Sequence, residues 1–194
     1  MRIAVAVFDG AEELDFVGPW EVLATWRAVC PDDDVEVVLV AETTDPVSCA
    51  KGMRVLPDTT WNELGDVDVL VYPGGRGTRP QLGDETIRTR LRALKERGTL
   101  MTSVCTGALV YADAGLLDGQ PATTYWSALD ELPRLGRDVE PQPDKRFVDN
   151  GAVITAAGVS AGIDMALHLV GRLATPDKAR EVRRAIQYDP QPPY

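Results

Sequence analysis

Apolar positions along the chain switch repeatedly between continuous runs and helical spacing. Arg2–Phe8 (RIAVAVF) is a continuous run rich in β-branched residues and closed by Asp9-Gly10, the pattern of a strand buried on both faces. Leu14–Val29 then places Phe16, Val17, Trp20, Leu23, Ala24 and Ala28 near helical spacing. Pro19 must lie near the first turn of that helix or kink it. Val35–Val40 reads as a second strand, Cys49–Leu56 as a short irregular one, and Val67–Val71 as a third core strand ending in Pro73-Gly74-Gly75. Asp84–Arg97 is a charged amphipathic helix stopped by Gly98. Thr99–Val104 is a further core strand with a helix, Thr106–Ala114, directly behind it. Phe147–Val148 and Ala152–Thr155 flank Asp149-Asn150-Gly151 as a hairpin, and Ser160–Leu173 and Pro176–Ile186 are closing helices. Prolines keep the tail Tyr188–Tyr194 out of regular helix, leaving it loose or packed on a neighbouring subunit.

Alternating strands and helices predict an α/β fold with a mostly parallel, twisted sheet covered by helices on both faces. The 194 residues fit one domain, 1–194, with neither an internal repeat nor a long linker. In such sheets the site lies at the carboxyl ends of the strands.

Charge narrows the choice of partners. There are 20 Lys and Arg against 30 Asp and Glu, a formal net charge of −10, which disfavours a phosphate backbone as partner. No apolar run reaches the roughly 18–20 residues of a membrane span, and the acidic residues straight after Phe8 argue against a secretory leader. Three cysteines cannot form a closed disulfide set, and neither they nor the single histidine has zinc-ligand spacing. Reduced thiols and a cytoplasmic location are therefore expected. His168, four residues after Asp164 and off the apolar stripe, is expected to face water or to pair with that aspartate. Cys30 and Cys49 look incidental.

Three loops leave predicted strand ends carrying chemistry: Asp9–Asp15, Pro73–Arg76 and Cys105-Thr106-Gly107. Cys105 stands where a strand turns directly into a helix, the shape of a nucleophile elbow, although G-x-S-x-G is absent. The helix aims free N–H groups and its dipole at the sulfur, which would lower the thiol pKa. A small buried core cysteine fits the same sequence, and Gly107 and Ala108 tip the balance towards the elbow. Gly74-Gly75 offers a bare backbone N–H that, with that of Thr106, could stabilise developing negative charge; an ordinary tight turn is the alternative. Asp15 is either a proton partner for the sulfur or an ordinary helix N-terminal acid. Trp126 could line a pocket, because Thr123-Thr124-Tyr125-Trp126 follows a predicted strand.

These segments together resemble the ThiJ/PfpI superfamily, whose fold is related to class I glutamine amidotransferases. The matching stretches are DGAEELDFVGPWEV from Asp9, YPGG from Tyr72, SVCTGALVYADAGLL from Ser103, ATTYW from Ala122, ITAAGVSAGIDMALHL from Ile154 and IQYDPQPPY from Ile186. The Asp-Phe-x-Gly-Pro segment and the Tyr-Asp-Pro-x-Pro-Pro tail are most similar to the isonitrile hydratase group. The resemblance implies a flavodoxin-like three-layer sandwich, usually a homodimer, with Cys105 as nucleophile, Asp15 as its acid partner and Thr106 as a neighbouring hydroxyl. It also implies Gly75, with Gly74, at an oxyanion site and Tyr125 and Trp126 against the substrate. The implied reaction is cofactor-free, metal-free hydration of a small molecule, an isonitrile, to a formamide through a covalent thioimidate. Relatives often carry His where Tyr125 stands, so a Cys-His-acid triad cannot be assembled there. A glyoxalase- or deglycase-type carbonyl enzyme and a non-catalytic redox sensor or ligand-binding protein are the rival readings.

Overall fold

A computed structural model of the protein describes residues 1–191. The chain runs β1 (Arg2–Ala6), α1 (Glu13–Val29), β2 (Glu36–Ala41), β3 (Val47–Ser48), β4 (Arg54–Val55), β5 (Thr59–Thr60), β6 (Val69–Tyr72), α2 (Glu85–Glu96), β7 (Leu100–Val104) and α3 (Gly107–Asp113). It continues with β8 (Pro121–Ala122), α4 (Leu132–Leu135), β9 (Glu140–Pro141), β10 (Phe147–Asp149), β11 (Val153–Ala156), α5 (Ala161–Leu173) and α6 (Pro176–Ala185).

Seven strands form the main sheet in the order β10-β11-β7-β6-β1-β2-β5. All neighbours in it are parallel except the β10–β11 hairpin. Strand alternation splits the apolar residues between two cores. Ile3, Val5 and Val7 join Phe16 and Leu23 of α1 and Met165 and Leu169 of α5 on one face. Ala4 and Ala6 join Leu91 of α2 and Leu109 and Tyr111 of α3 on the other. Both faces are thus covered, as a continuous apolar strand requires. The chain leaves β1 for β2 on one side and returns to β6 on the other, so the crevice between these departures opens over the carboxyl ends of β1 and β6. This position brings the Asp9–Asp15 and Pro73–Arg76 loops together, with β7 and Cys105 one strand further on. Among the described residues no helix is long and apolar enough to cross a membrane.

Four local expectations need adjustment. Pro19 lies well inside α1, beyond its first turn. Having no N–H, it leaves the Asp15 carbonyl without its usual helical donor. Its ring packs on α5, where a Cβ on Gly162 would come within 3.2 Å of Pro19 Cγ and Cδ. Cys49–Leu56 is not one irregular strand. Instead β3 and β4 pair as an antiparallel hairpin, and Gly52, at φ +99°, lets the chain reverse between them. His168 does not pair with Asp164. Its Nε2 lies 2.7 Å from Asp149 Oδ2 and its ring stacks on Phe147, because this face of α5 meets the β10–β11 hairpin. Asp164 instead takes Arg146 and the Tyr188 hydroxyl, so the start of the tail folds back on its own chain. The last part of the expected tail, residues 192–194, lies outside the described residues.

Candidate active site

Cys105 follows the last residue of β7 and holds φ at +56°, a left-handed conformation that costs a non-glycine residue energy and is kept only when surrounding bonds enforce it. The enforcing bonds are visible. Its N–H is shared between the carbonyls of Ala156 (3.1 Å) and Ala157 (2.8 Å), and its carbonyl accepts the Thr124 hydroxyl at 2.6 Å. Gly107 opens α3 so close to the exit of the neighbouring strand β6 that a Cβ there would sit 2.4 Å from the Tyr72 carbonyl oxygen. The small residue after the cysteine therefore permits the elbow, as the sequence suggested.

Asp15, in the first turn of α1, is fully buried. Its Oδ2 accepts the Gly74 N–H at 2.9 Å. Its Oδ1 is buried without a hydrogen-bond partner, and the carboxyl and the Cys105 thiol are near enough to shift each other's protonation. Burial raises the Asp15 pKa to about 7 against the lowering pull of the Gly74 N–H. Burial also pushes the Cys105 thiol up to about 12, with the Asp15 charge adding to it. The backbone N–H groups of Thr106 and Val159 approach the sulfur and pull the other way. They lose to burial, so the expected depressed thiol pKa is corrected. The short α3 cannot offset removal of the sulfur from water, and the resting pair is a thiol beside a carboxyl poised near neutrality.

The Gly-Gly turn also departs from expectation. Neither glycine N–H is bare, since Gly74 serves Asp15 and Gly75 donates to Thr106 Oγ1 at 2.9 Å. Close approach explains these glycines. A Cβ on Gly74 would lie 2.5 Å from the Thr106 nitrogen, and one on Gly75, at φ +110°, would lie 2.4 Å from Glu12 N. Thr106 Oγ1 also lies 3.1 Å from Thr78 Oγ1, in a buried hydroxyl pair tied to the Gly75 carbonyl.

Sulfur, Thr106, Gly75 and Tyr125 border one open cavity of about 480 Å³, within the range of small-molecule sites. Ala128 and Val159 add apolar wall, and Glu12, Lys51, Arg76 and Arg79 carry charge around it. The Tyr125 ring lies over Gly158, where a Cβ would meet Cδ2 at 2.4 Å. Trp126 is not part of the wall; its side chain is 74% exposed. A groove of similar size, about 460 Å³, lies between α5 and α6, but no cysteine, serine or carboxylate lines it. Sequence reasoning missed Val159, a β-branched residue held at φ +48° with its N–H towards the sulfur. The clue was Gly158-Val159-Ser160 linking a core strand to a helix, a fourth strand exit at the same sheet edge.

The DJ-1/PfpI family profile matches residues 1–172. The chain belongs to the DJ-1/PfpI family. Within that family, the isonitrile hydratase of Pseudomonas putida is 38% identical over 194 residues, covering 100% of this chain and 81% of that protein. A ThiJ/PfpI family protein of Pseudomonas syringae, known as a crystal structure, superposes with a TM-score of 0.90 at 32% identity, covering 100% of this chain and 77% of that one. A glutathione-independent glyoxalase of Caenorhabditis elegans is 24% identical over 180 residues, covering 92% and 91% of the two chains. The predicted flavodoxin-like sandwich is thereby the fold of a DJ-1/PfpI protein.

Proposed function

We propose that this DJ-1/PfpI protein is a cysteine-dependent isonitrile hydratase, converting R–N≡C and water to R–NH–CHO. The observation that carries the reading is the buried pair: a carboxyl with one unpartnered oxygen and a thiol that shift each other's protonation, the thiol on a left-handed elbow that opens into a cavity. Similarity to the Pseudomonas putida hydratase supports the choice of substrate.

The terminal isonitrile carbon is electrophilic and slender enough to reach the sulfur of a residue that is only 6% exposed. As Sγ adds to that carbon, the thiol proton passes to Asp15. Asp15 then delivers the proton to carbon, leaving the thioimidate R–N=CH–S–Cys105. The carboxylate next takes a proton from water while the hydroxide adds to the same carbon, and the proton goes to nitrogen. The C–S bond of the R–NH–CH(OH)–S adduct breaks, the hydroxyl proton returns to sulfur through Asp15, and the formamide leaves. Sulfur departs towards the Thr106 and Val159 N–H groups, which favour its transient charge. Nucleophile and proton carrier are thus Cys105 and Asp15, with no cofactor invoked. Thr106 holds the Gly75 loop over the sulfur, and Tyr125 bounds the substrate space.

Formamide formation from a simple alkyl isonitrile, followed by NMR, should be present in the wild type and lost in Cys105→Ala. Acid quench should trap a protein mass increased by one isonitrile. Full activity of Cys105→Ala rejects the covalent route. The glyoxalase of Caenorhabditis elegans motivates a second assay, lactate formation from methylglyoxal; Tyr125 in place of the histidine frequent in relatives weighs against that reading. The chain is further proposed to form a homodimer. Leu14 and Met53 are exposed apolar residues at the place where Glu13 ties the β3–β4 turn to α1, and Leu56, just past β4, is exposed as well. A monomeric mass in light scattering overturns this.

A further inference from the structure

One of the charged groups around the cavity stands without a partner of opposite charge. Three cations, Lys51, Arg76 and Arg79, line it against one carboxylate, Glu12, in a chain of net charge −10. Lys51 is paired with Glu12, and Arg79 is gripped by both oxygens of Glu131. Among the described residues Arg76 has no carboxylate partner, yet it borders the same space as the sulfur. It starts the turn of helix after Gly75, and its stem passes Gly10 so closely that a Cβ there would meet Arg76 Cγ at 3.0 Å. A free guanidinium beside a nucleophile suits a planar anion, which it can bind with two parallel N–H groups.

We infer that Arg76 recognises a carboxylate on the substrate, so that the cavity takes small anionic electrophiles whose reactive carbon is a few bonds from the acid group. This deepens the hydratase reading and rests on it for the class of electrophile: an isonitrile bearing a carboxylate on its N-substituent. A chain of net charge −10 would repel such a molecule, which makes the unpaired Arg76 guanidinium the feature that admits it.

Two experiments separate the inference from the reading beneath it. The first compares alkylation of Cys105 by iodoacetate and by iodoacetamide, near-isosteres that differ in charge, with rates taken from the Cys105 peptide by mass spectrometry. The ratio is normalised to mercaptoethanol. The wild type should favour iodoacetate, and the preference should fall about five- to tenfold in Arg76→Gln, further in Arg76→Glu, and in the wild type at high salt. Arg76→Lys should retain part of it, showing that charge and not mere folding is measured. The second compares kcat/KM for isocyanoacetate and its ethyl ester. Arg76→Gln should lower the acid-to-ester ratio by a similar factor. An iodoacetate preference that is absent, or that survives Arg76→Glu, overturns the anion site. Hydration of both isonitriles with a ratio unmoved by Arg76→Gln overturns the substrate assignment. If neither isonitrile is hydrated, the hydratase reading falls with the substrate assignment, while the alkylation ratio still decides the anion site.

Discussion

Replacing Asp15 by Asn should make Cys105 more reactive towards a simple alkylating agent and, at the same time, a worse catalyst. The thiol is pushed up to about 12 first by burial and next by the Asp15 charge. At pH 8 such a thiol is ionised to about one part in 10⁴. Asn keeps the volume and can still accept the Gly74 N–H, so burial stays while the charge goes. A fall of about one unit in the thiol pKa multiplies the thiolate fraction about tenfold, and alkylation by iodoacetamide rises roughly in proportion, less a small loss of intrinsic nucleophilicity. Formamide formation should move the other way, by about 10²-fold or more, because no group remains to carry the proton from sulfur to carbon. The assay is paired: iodoacetamide rate at Cys105 against pH, and isonitrile turnover on the same preparation. Alkylation that slows, or turnover that survives, refutes the picture of a proton-sharing pair.

The same aspartate should leave a mark on stability. Its folded pKa of about 7 exceeds the ordinary 3.8, so the folded state holds the proton more tightly and stability falls as pH rises from about 4 to 7. The shift bounds this loss at roughly 4 kcal/mol. Asp15→Asn should therefore melt above the wild type at pH 8 and converge with it near pH 4 in calorimetry; equal melting points at pH 8 contradict the assignment. Gly74→Ala forces a methyl to 2.5 Å from the Thr106 nitrogen and 2.8 Å from Cys105 Cβ. It should cost about 1–3 kcal/mol in urea unfolding and, by displacing the elbow, on the order of 10²-fold in turnover. Wild-type activity in that variant would show that the loop yields without moving the sulfur.

The fold was legible because the core strands announce themselves. In β1 every residue from Ile3 to Ala6 is buried, so the run carries no polar alternation and reads as a strand covered on two faces. The two-residue strands β3, β4, β5 and β9 are too short to show a period, and there the reading was wrong or silent. Cys105, Asp15 and Gly75 could be picked out because each follows a core strand, and the structure brings them together. Their electrostatics could not be read, because burial depends on what packs above the sheet. The helix terminus visible in the sequence argued for a low thiol pKa, while the desolvation that outweighs it comes from segments far along the chain. Val159 shows the same limit: nothing local marks a valine that will be held at positive φ. The Asp164 alternative for His168 failed for a related reason, since helical spacing names the nearest acid on its own helix and is blind to Asp149 on a neighbouring strand.

The backbone of Cys105 is clamped by carbonyls of Ala156 and Ala157 and by the hydroxyl of Thr124, all later in the chain. During synthesis, a chain whose last emerged residue lies before position 156 has the nucleophile but lacks the two carbonyls that take its N–H. Its sulfur is then an ordinary hydrated thiol, open to whatever electrophile or oxidant is at hand. The special character of this cysteine is conferred late, when the C-terminal third arrives, and a ribosome stalled before that point should present a thiol no different from that of a short peptide.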